Sequence, residues 1–281
     1  MINLAKSLSG RDLDKKLPTL HKLYTYLNHI FQSDEDKTAN LPSGATITYN
    51  IKQSGVGYYL ENFNLFEPYI TTILLSYLKK GDTFIDVGAN IGYYTILAGK
   101  AIGPNGSVLA IEPEPINLKY LRQNISQNQL TNAKVIASVA SSIHGQVKLY
   151  LSPVSSGEHS LLRKTTKYIE VEAQTLDDLV INDGLKPRLI KIDVEGAEMN
   201  VLAGAKKTIA SFKPVIIFEY SGQYTETIFS LKTLIDLGYN LYLIDEKDKE
   251  TIKTDPNIID SLLSHKTHLN LLATPNQINP W

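Results

Sequence analysis

The sequence predicts an α/β fold: a doubly wound, mostly parallel sheet with helices on both faces. Three observations predict it. From Thr83 onward, uniformly apolar runs alternate with amphipathic stretches. The first run, TFIDV, opens into the glycine turn GANIG, and two later runs, VLAIEP and LIKIDVEG, end in acids. Strands apolar on both faces require helices on both sides of the sheet, and ligands in such sheets sit at the carboxyl ends of the strands.

Upstream, Leu20, Leu23, Tyr24, Leu27, Ile30 and Phe31 recur at intervals of three and four behind Pro18. That spacing predicts a helix of about 14 residues. QSDEDKTANLPSG then reads as a linker. The expected division is a helical extension with linker over residues 1–44 and one large domain over 45–281. ATITYNI alternates as a strand, and EPYITTILLSYLKKG is expected as a helix ended by Gly81. After TFIDV come a helix from Tyr93 to about Ala101, the strand SVLAIEP, a helix from Pro115 to about Gln129, and the strand AKVIASV. QVKLYLS and YIEVEAQ flank a polar loop and predict a hairpin inserted between the third and fourth strands. RLIKIDV, AEMNVLAGAKKTIA and PVIIFEY continue as strand, helix and strand. YNLYLID and HLNLLATP add two strands around a short helix near Asn257–Leu263.

Composition narrows the function. The 281 residues carry 28 Lys and Arg against 29 Asp and Glu, so no basic excess exists to hold a nucleic acid backbone. There are no cysteines, which excludes disulfides, thiolate metal sites and cysteine nucleophiles and fits a reducing compartment. MINLAKSLSGRDLDKK has no apolar core behind its charges, and PYITTILLSYL is too short and polar to span a bilayer. No membrane span and a cytoplasmic location are expected.

Asp86 poses the chemical question. A carboxylate at the end of a buried strand is costly unless a cation or several N–H donors meet it. Gly88 and Gly92 suit a backbone that approaches a ligand, and Asn90 tolerates a left-handed conformation between them. Twenty residues after Gly92, Glu112 ends the second strand, where an acid accepts hydrogen bonds from ribose hydroxyls. Nicotinamide dinucleotides and S-adenosylmethionine both meet that condition. A pyrophosphate favours donors with no nearby anion, whereas an ammonium and a sulfonium attract Asp86. The spacing G-x-x-x-G also departs from G-x-G-x-x-G. The methyl donor is the better match; an oxidoreductase and a non-catalytic adaptor that keeps the fold are the competing readings.

KIDVEGAE supplies a second acidic group. Lys191, Asp193 and Glu195 alternate at a strand end, so their side chains are expected on one side. Asp193 and Glu195 are expected beside the glycine turn, where either could take a proton from an alcohol acceptor; capping of the next helix is the alternative. Glu198 falls in the first turn of that helix, where an acid is favourable. His144 is read as a solvated turn residue. No metal-ligand pattern is present.

KKGDTFIDVGANIGYYT, VLAIEPEPINLKYLRQNI, SSGEHSLL, TLDDL, LIKIDVEGAEMNVLAGA and PVIIFEY together resemble the FkbM family of S-adenosylmethionine-dependent methyltransferases, over about Glu67 to Tyr220. The resemblance implies a class I methyltransferase (Rossmann-like) fold, with seven strands and the last antiparallel. It implies S-adenosyl-L-methionine as cofactor and O-methylation of a hydroxyl on a sugar, glycan or natural product. The donor-side candidates are Asp86, Gly88, Ala89, Asn90, Gly92, Tyr94, Thr95, Glu112, Pro113 and Asn117. The catalytic candidates are Asp193, Glu195 and Lys191. A small-molecule or glycan acceptor is expected, with a homodimer through the N-terminal region as a further expectation.

Overall fold

A computed structural model describes residues 34–52, 55–152, 159–221, 230–264, 266 and 268–278. The helix expected over Leu20–Phe31 lies outside them.

The stretch read as a linker contains a strand. β1 (Asp36–Asn40) pairs antiparallel with β2 (Thr46–Asn50), with Asp36 opposite Asn50 and Asn40 opposite Thr46. The LPSGA turn closes the pair: Leu41 N–H donates to Ala45 O at 2.8 Å, and Gly44 takes a φ of 77°. The boundary expected at residue 44 therefore falls inside a hairpin. Helix α1 (Gly55–Phe63), which the sequence reading did not include, follows. Helix α2 (Pro68–Tyr77) starts on a proline and stops at Leu78, not at Gly81. Gly81 instead takes a φ of 86° in the turn before the next strand.

The core alternates as expected: β3 (Thr83–Val87), α3 (Tyr93–Ile102), β4 (Ser107–Ile111), α4 (Pro115–Gln127) and β5 (Ala133–Ile136). The chain then leaves the main sheet. β6 (Val139–Ala140), β7 (Gly145–Tyr150) and β8 (Tyr168–Gln174) form a separate three-stranded sheet, and β7 and β8 are the inserted hairpin. The main sheet resumes through α5 (Leu176–Asn182), β9 (Leu189–Ile192), α6 (Glu198–Ala203), α7 (Lys206–Phe212) and β10 (Val215–Tyr220). It ends through α8 (Leu231–Asp236), β11 (Asn240–Asp245), β12 (Glu250–Thr254), α9 (Pro256–Leu263) and β13 (Leu269–Thr274).

The main sheet runs β12-β11-β13-β10-β9-β3-β4-β5. Strands β5, β4, β3, β9 and β10 are parallel, and β13 is antiparallel to both of its neighbours, as the resemblance implied. The expected seven strands become eight because β12 hairpins onto the outer edge of β11. Strand order reverses between β3 and β9, so their carboxyl ends open a crevice between the outgoing connections. One apolar cluster, including Ile47, Leu60, Leu74 and Ile96, fills one face of the sheet; another, including Leu179, Leu202, Ile209 and Ile259, fills the other. No helix among the described residues is long and apolar enough to cross a membrane.

AEMNVLAGAKKTIA, expected as one helix, is two. Gly204 packs so closely on the inserted sheet that a Cβ there would lie 2.0 Å from Ser141 O. Asp177 starts the second helix by accepting Lys207 N–H at 3.0 Å and Thr208 N–H at 2.7 Å. Gly204→Ala should therefore destabilise the protein by about 1–3 kcal/mol, the scale of overpacking against a rigid neighbour. A denaturant midpoint unchanged from wild type would show that this contact does not hold the two layers at their spacing.

Candidate active site

A cleft of about 560 Å³, counting its open mouth, lies at the carboxyl ends of β3, β4 and β9. Gly88, Asn90, Glu112, Pro113, Asn117, Asp193 and Glu195 are among the residues that line it.

Hydrogen bonds among the three strand ends build this arrangement. Gly88 and Ala89 donate their N–H groups to Ile111 O at 2.9 and 3.0 Å, and Asp193 N–H donates to Val87 O at 2.9 Å. Gly88 has a φ of 80°, and a Cβ on it would lie 1.8 Å from Asp193 O. The clash that excludes a side chain there is with the chain's own β9 loop, whereas the sequence reading placed it against a ligand. Gly92 is required by its backbone, which takes a φ of 94°; the nearest atom to a Cβ there would be Leu121 Cδ1 at 2.7 Å, a side-chain end that can move. Asn90 is left-handed at φ 51°, and its side-chain oxygen accepts the Ile91 N–H at 2.8 Å.

Glu112 is 5% exposed, and both its oxygens are engaged. One accepts Asn90 N–H at 2.8 Å; the other accepts Glu114 N–H at 2.9 Å and Asn117 Nδ2 at 3.3 Å. Burial outweighs those donors and pushes the carboxyl up to about 7. Glu114 caps α4 by accepting Asn117 N–H at 2.7 Å.

Asp86 is answered from inside the protein. It is 2% exposed and accepts Thr95 Oγ1 at 2.6 Å. In the parallel register it stands beside Lys191, whose ammonium is the cation that faces it. Burial raises the Asp86 carboxyl, with Lys191 and Thr95 opposing. Lys191 donates to Asp193 Oδ2 at 2.8 Å and lies 4.6 Å from the Tyr94 ring centroid. Tyr94 donates in turn to Glu67 at 2.6 Å. Burial alone would lower the Lys191 ammonium, but Asp193, Glu67 and Asp86 outweigh it and hold it above its ordinary value. Asp86, Ala89, Gly92, Tyr94, Thr95 and Lys191 are not among the residues that line the cleft.

Strand β9 ends at Ile192, so Asp193 and Glu195 sit in a turn and not at alternate strand positions. Glu195 takes a φ of 55°, and Gly196 follows at 102°. Both acids still reach the cleft. Glu195 pairs with Arg163 at 2.7 Å, and its carbonyl accepts Ser160 Oγ at 2.8 Å, which joins the inserted sheet's loop to the β9 turn. Glu198 accepts Gly196 N–H at 2.9 Å and Val194 N–H at 3.3 Å, the helix-start role expected of it. His159 lines the cleft and accepts Ser152 N–H at 2.9 Å, while His144 pairs with Asp178 at 2.9 Å near the surface.

Three residues here escaped the sequence reading. Glu67 joins the Lys191 cluster. Ser138 lines the cleft with a buried hydroxyl that has no hydrogen-bond partner among the described residues. Glu219, next to last in β10, lies beside the β9 turn, and its only signal was an acid late in PVIIFEY. S-adenosyl-L-methionine fits this set: Glu112 presents a carboxylate, and Ser138 leaves one polar atom to be met in a wall otherwise formed by Val139, Leu149 and Leu161.

Glu219 also makes stability depend on pH. Burial first, then Asp193, Glu195 and Glu198, push its carboxyl up to about 9, with Lys191 opposing. A folded pKa above the unfolded value adds stability below about pH 4.5 that is lost as pH rises through the folded pKa. Thermal unfolding of the ligand-free protein should therefore show a Tm that falls from pH 5 to 9, and a smaller fall in Glu219→Gln. Equal falls in both proteins would remove Glu219 as a cause.

Comparison with known proteins identifies the family. The chain is 28% identical over 158 residues to the hexuronic acid methyltransferase AglP of Haloferax volcanii, covering 56% of this chain and 63% of that one. It is 28% identical over 209 residues to the 31-O-demethyl-FK506 methyltransferase FkbM of Streptomyces tacrolimicus, covering 62% and 77%. The chain thus spans less than two thirds of the Haloferax relative. A solved structure, methyltransferase FkbM from Methylobacillus flagellatus KT, is 19% identical with a TM-score of 0.46, covering 70% of this chain and 44% of that one. Residues 86–241, more than half of the chain, match the family described as methyltransferase FkbM domain, whose methyl donor is S-adenosyl-L-methionine. The match begins later than the Glu67 expected from the motifs and extends beyond Tyr220. The chain belongs to the FkbM family of methyltransferases.

Proposed function

We propose that this chain transfers a methyl group to a hydroxyl of a sugar, glycan or natural product, as an O-methyltransferase. The observation that carries the reading is that donor-side residues and acceptor-side acids share one cleft: Gly88, Asn90, Glu112 and Asn117 line it together with Asp193 and Glu195. The two relatives named above act on a hexuronic acid and on a demethylated FK506, which supports an acceptor rich in hydroxyls. S-adenosyl-L-methionine, when bound, supplies a methyl group activated by an adjacent positive sulfur.

Glu112 offers its carboxylate to the ribose diol, and Asn90 and Asn117 hold that carboxylate in place. Ser138 supplies a hydroxyl at the apolar end. Lys191 orients Asp193, and Arg163 orients Glu195, so both acids can accept hydrogen bonds from the hydroxyls of an acceptor. Most of the acceleration then comes from holding acceptor oxygen and methyl carbon in line. Lys191, buried and engaged by Asp193, acts through that acid without touching an acceptor.

Glu112→Ala should weaken S-adenosyl-L-methionine binding by about 1.5 to 3 kcal/mol, or roughly ten- to a hundredfold, the scale for a hydrogen bond to a charged group. Calorimetric titration reads it, and unchanged affinity would sink the ribose assignment. NAD binding with no response to S-adenosyl-L-methionine would favour an oxidoreductase instead.

The reading carries a cytoplasmic location, which the cysteine-free composition supports. It also keeps the homodimer as a proposal. Sedimentation of the full chain against a chain beginning at Asp34, which preserves the β1–β2 hairpin, decides it. The shorter chain should lose self-association; equal masses per particle would end the proposal.

A further inference from the structure

Five acids surround the strand ends that form the cleft, and four of them are committed. Asp193 is held by Lys191 at 2.8 Å and Glu195 by Arg163 at 2.7 Å. Glu198 accepts two backbone N–H groups, and Glu112 two N–H groups and the Asn117 amide. A carboxylate engaged by a cation or by N–H donors must give up those interactions to take a proton. Glu219 is different. Among the described residues its carboxylate accepts no hydrogen bond, and the ring nitrogen Nδ1 of His268 is 3.7 Å away, beyond hydrogen-bond length.

Its placement suits an acceptor. Phe218 pairs with Ile192 in the parallel β9–β10 register, so Glu219 follows directly beside Asp193, and Asp193 lines the cleft. The side chain is 18% exposed, enough to exchange a proton with water. We infer that Glu219 is the general base of the reaction, taking the proton of the acceptor hydroxyl, while Asp193 and Glu195 orient that hydroxyl. The inference rests on the O-methyl reading above.

The step balances. Glu219 takes the hydroxyl proton as the acceptor oxygen bonds to the methyl carbon. The electron pair of the breaking carbon–sulfur bond stays on sulfur, which becomes a neutral thioether. Glu219 then releases its proton to water. The groups that face it are Asp193 and Glu195 on the β9 turn, Glu198 on α6, Lys191 on β9 and His268 before β13. Burial and the three acids raise its proton affinity, which suits it to a poorly acidic alcohol but leaves it protonated at neutral pH.

The test uses full-length protein, S-adenosyl-L-methionine and a panel of methyl hexopyranosides, with release of S-adenosylhomocysteine as the readout. Wild-type turnover should rise with pH toward about 9. Glu219→Gln should lose roughly 10²- to 10⁴-fold in kcat with donor affinity by calorimetry and far-ultraviolet dichroism unchanged, and Glu219→Asp should recover part of the loss. Infrared difference spectra without donor or acceptor should show a protonated carboxyl near neutral pH that is absent from Glu219→Gln. Sugar-dependent turnover that survives in Glu219→Gln overturns the base assignment and leaves the O-methyl reading standing. Loss of donor affinity in Glu219→Gln also overturns the assignment, placing the residue with the donor or the scaffold. Wild-type protein that binds donor yet methylates no member of the panel overturns the reading for sugars and the inference with it.

Discussion

The buried ammonium of Lys191 is the interaction on which the site depends. It touches or faces groups from four parts of the chain: Asp86 on β3, Asp193 after β9, Glu67 before α2 and the Tyr94 ring on α3. Removing one partner from such a group strands the others without compensation, which costs far more than the intact cluster gains. The consequence is positional. Asp86 is fixed beside Lys191, Lys191 fixes Asp193, and Asp193 O lies where only a glycine at position 88 can pass. The glycine turn and the β9 turn are therefore one unit, and neither can shift without the other.

This explains why the glycines of GANIG mark the site without necessarily touching its ligand. The close approach that demands Gly88 is between two loops of the protein, and the same turn brings Asn90 N–H onto Glu112, which lines the cleft. A family motif can thus persist through packing while the binding groups stand one residue away.

What the sequence made legible follows from range. TFIDV, the GANIG turn and the acid ending VLAIEP are local signals, so the strands, the turn and Glu112 could all be read from neighbours within a few positions. The inserted hairpin was readable because both its strands alternate around a polar loop. β1 was not, because DKTAN is a largely exposed, polar strand whose only support is its pairing with β2. The break at Gly204 was hidden because Ser141 O, which forces it, comes from a remote loop. Asp86 was read as awaiting a ligand cation because its partner, Lys191, lies on a strand more than one hundred residues later. Glu219 was invisible for the same reason: an acid late in an apolar strand carries no meaning until that strand is known to lie beside β9.

The charge balance at the acid-lined end couples the two halves of the cleft. Asp193, Glu195, Glu198 and Glu219 face Lys191 and Arg163, an excess of acid that the protein partly relieves by keeping Glu219 protonated. A cation bound nearby reduces the cost of ionising that carboxyl, and linkage requires the converse: ionising the carboxyl strengthens the hold on the cation. Binding of a positively charged donor and release of the Glu219 proton should therefore favour one another. A neutral donor product carries no such charge, so its binding loses that support and the carboxyl is free to regain a proton. The same excess of acid opposes acceptors that bring a further carboxylate to this end, unless Arg163 leaves Glu195 to meet it.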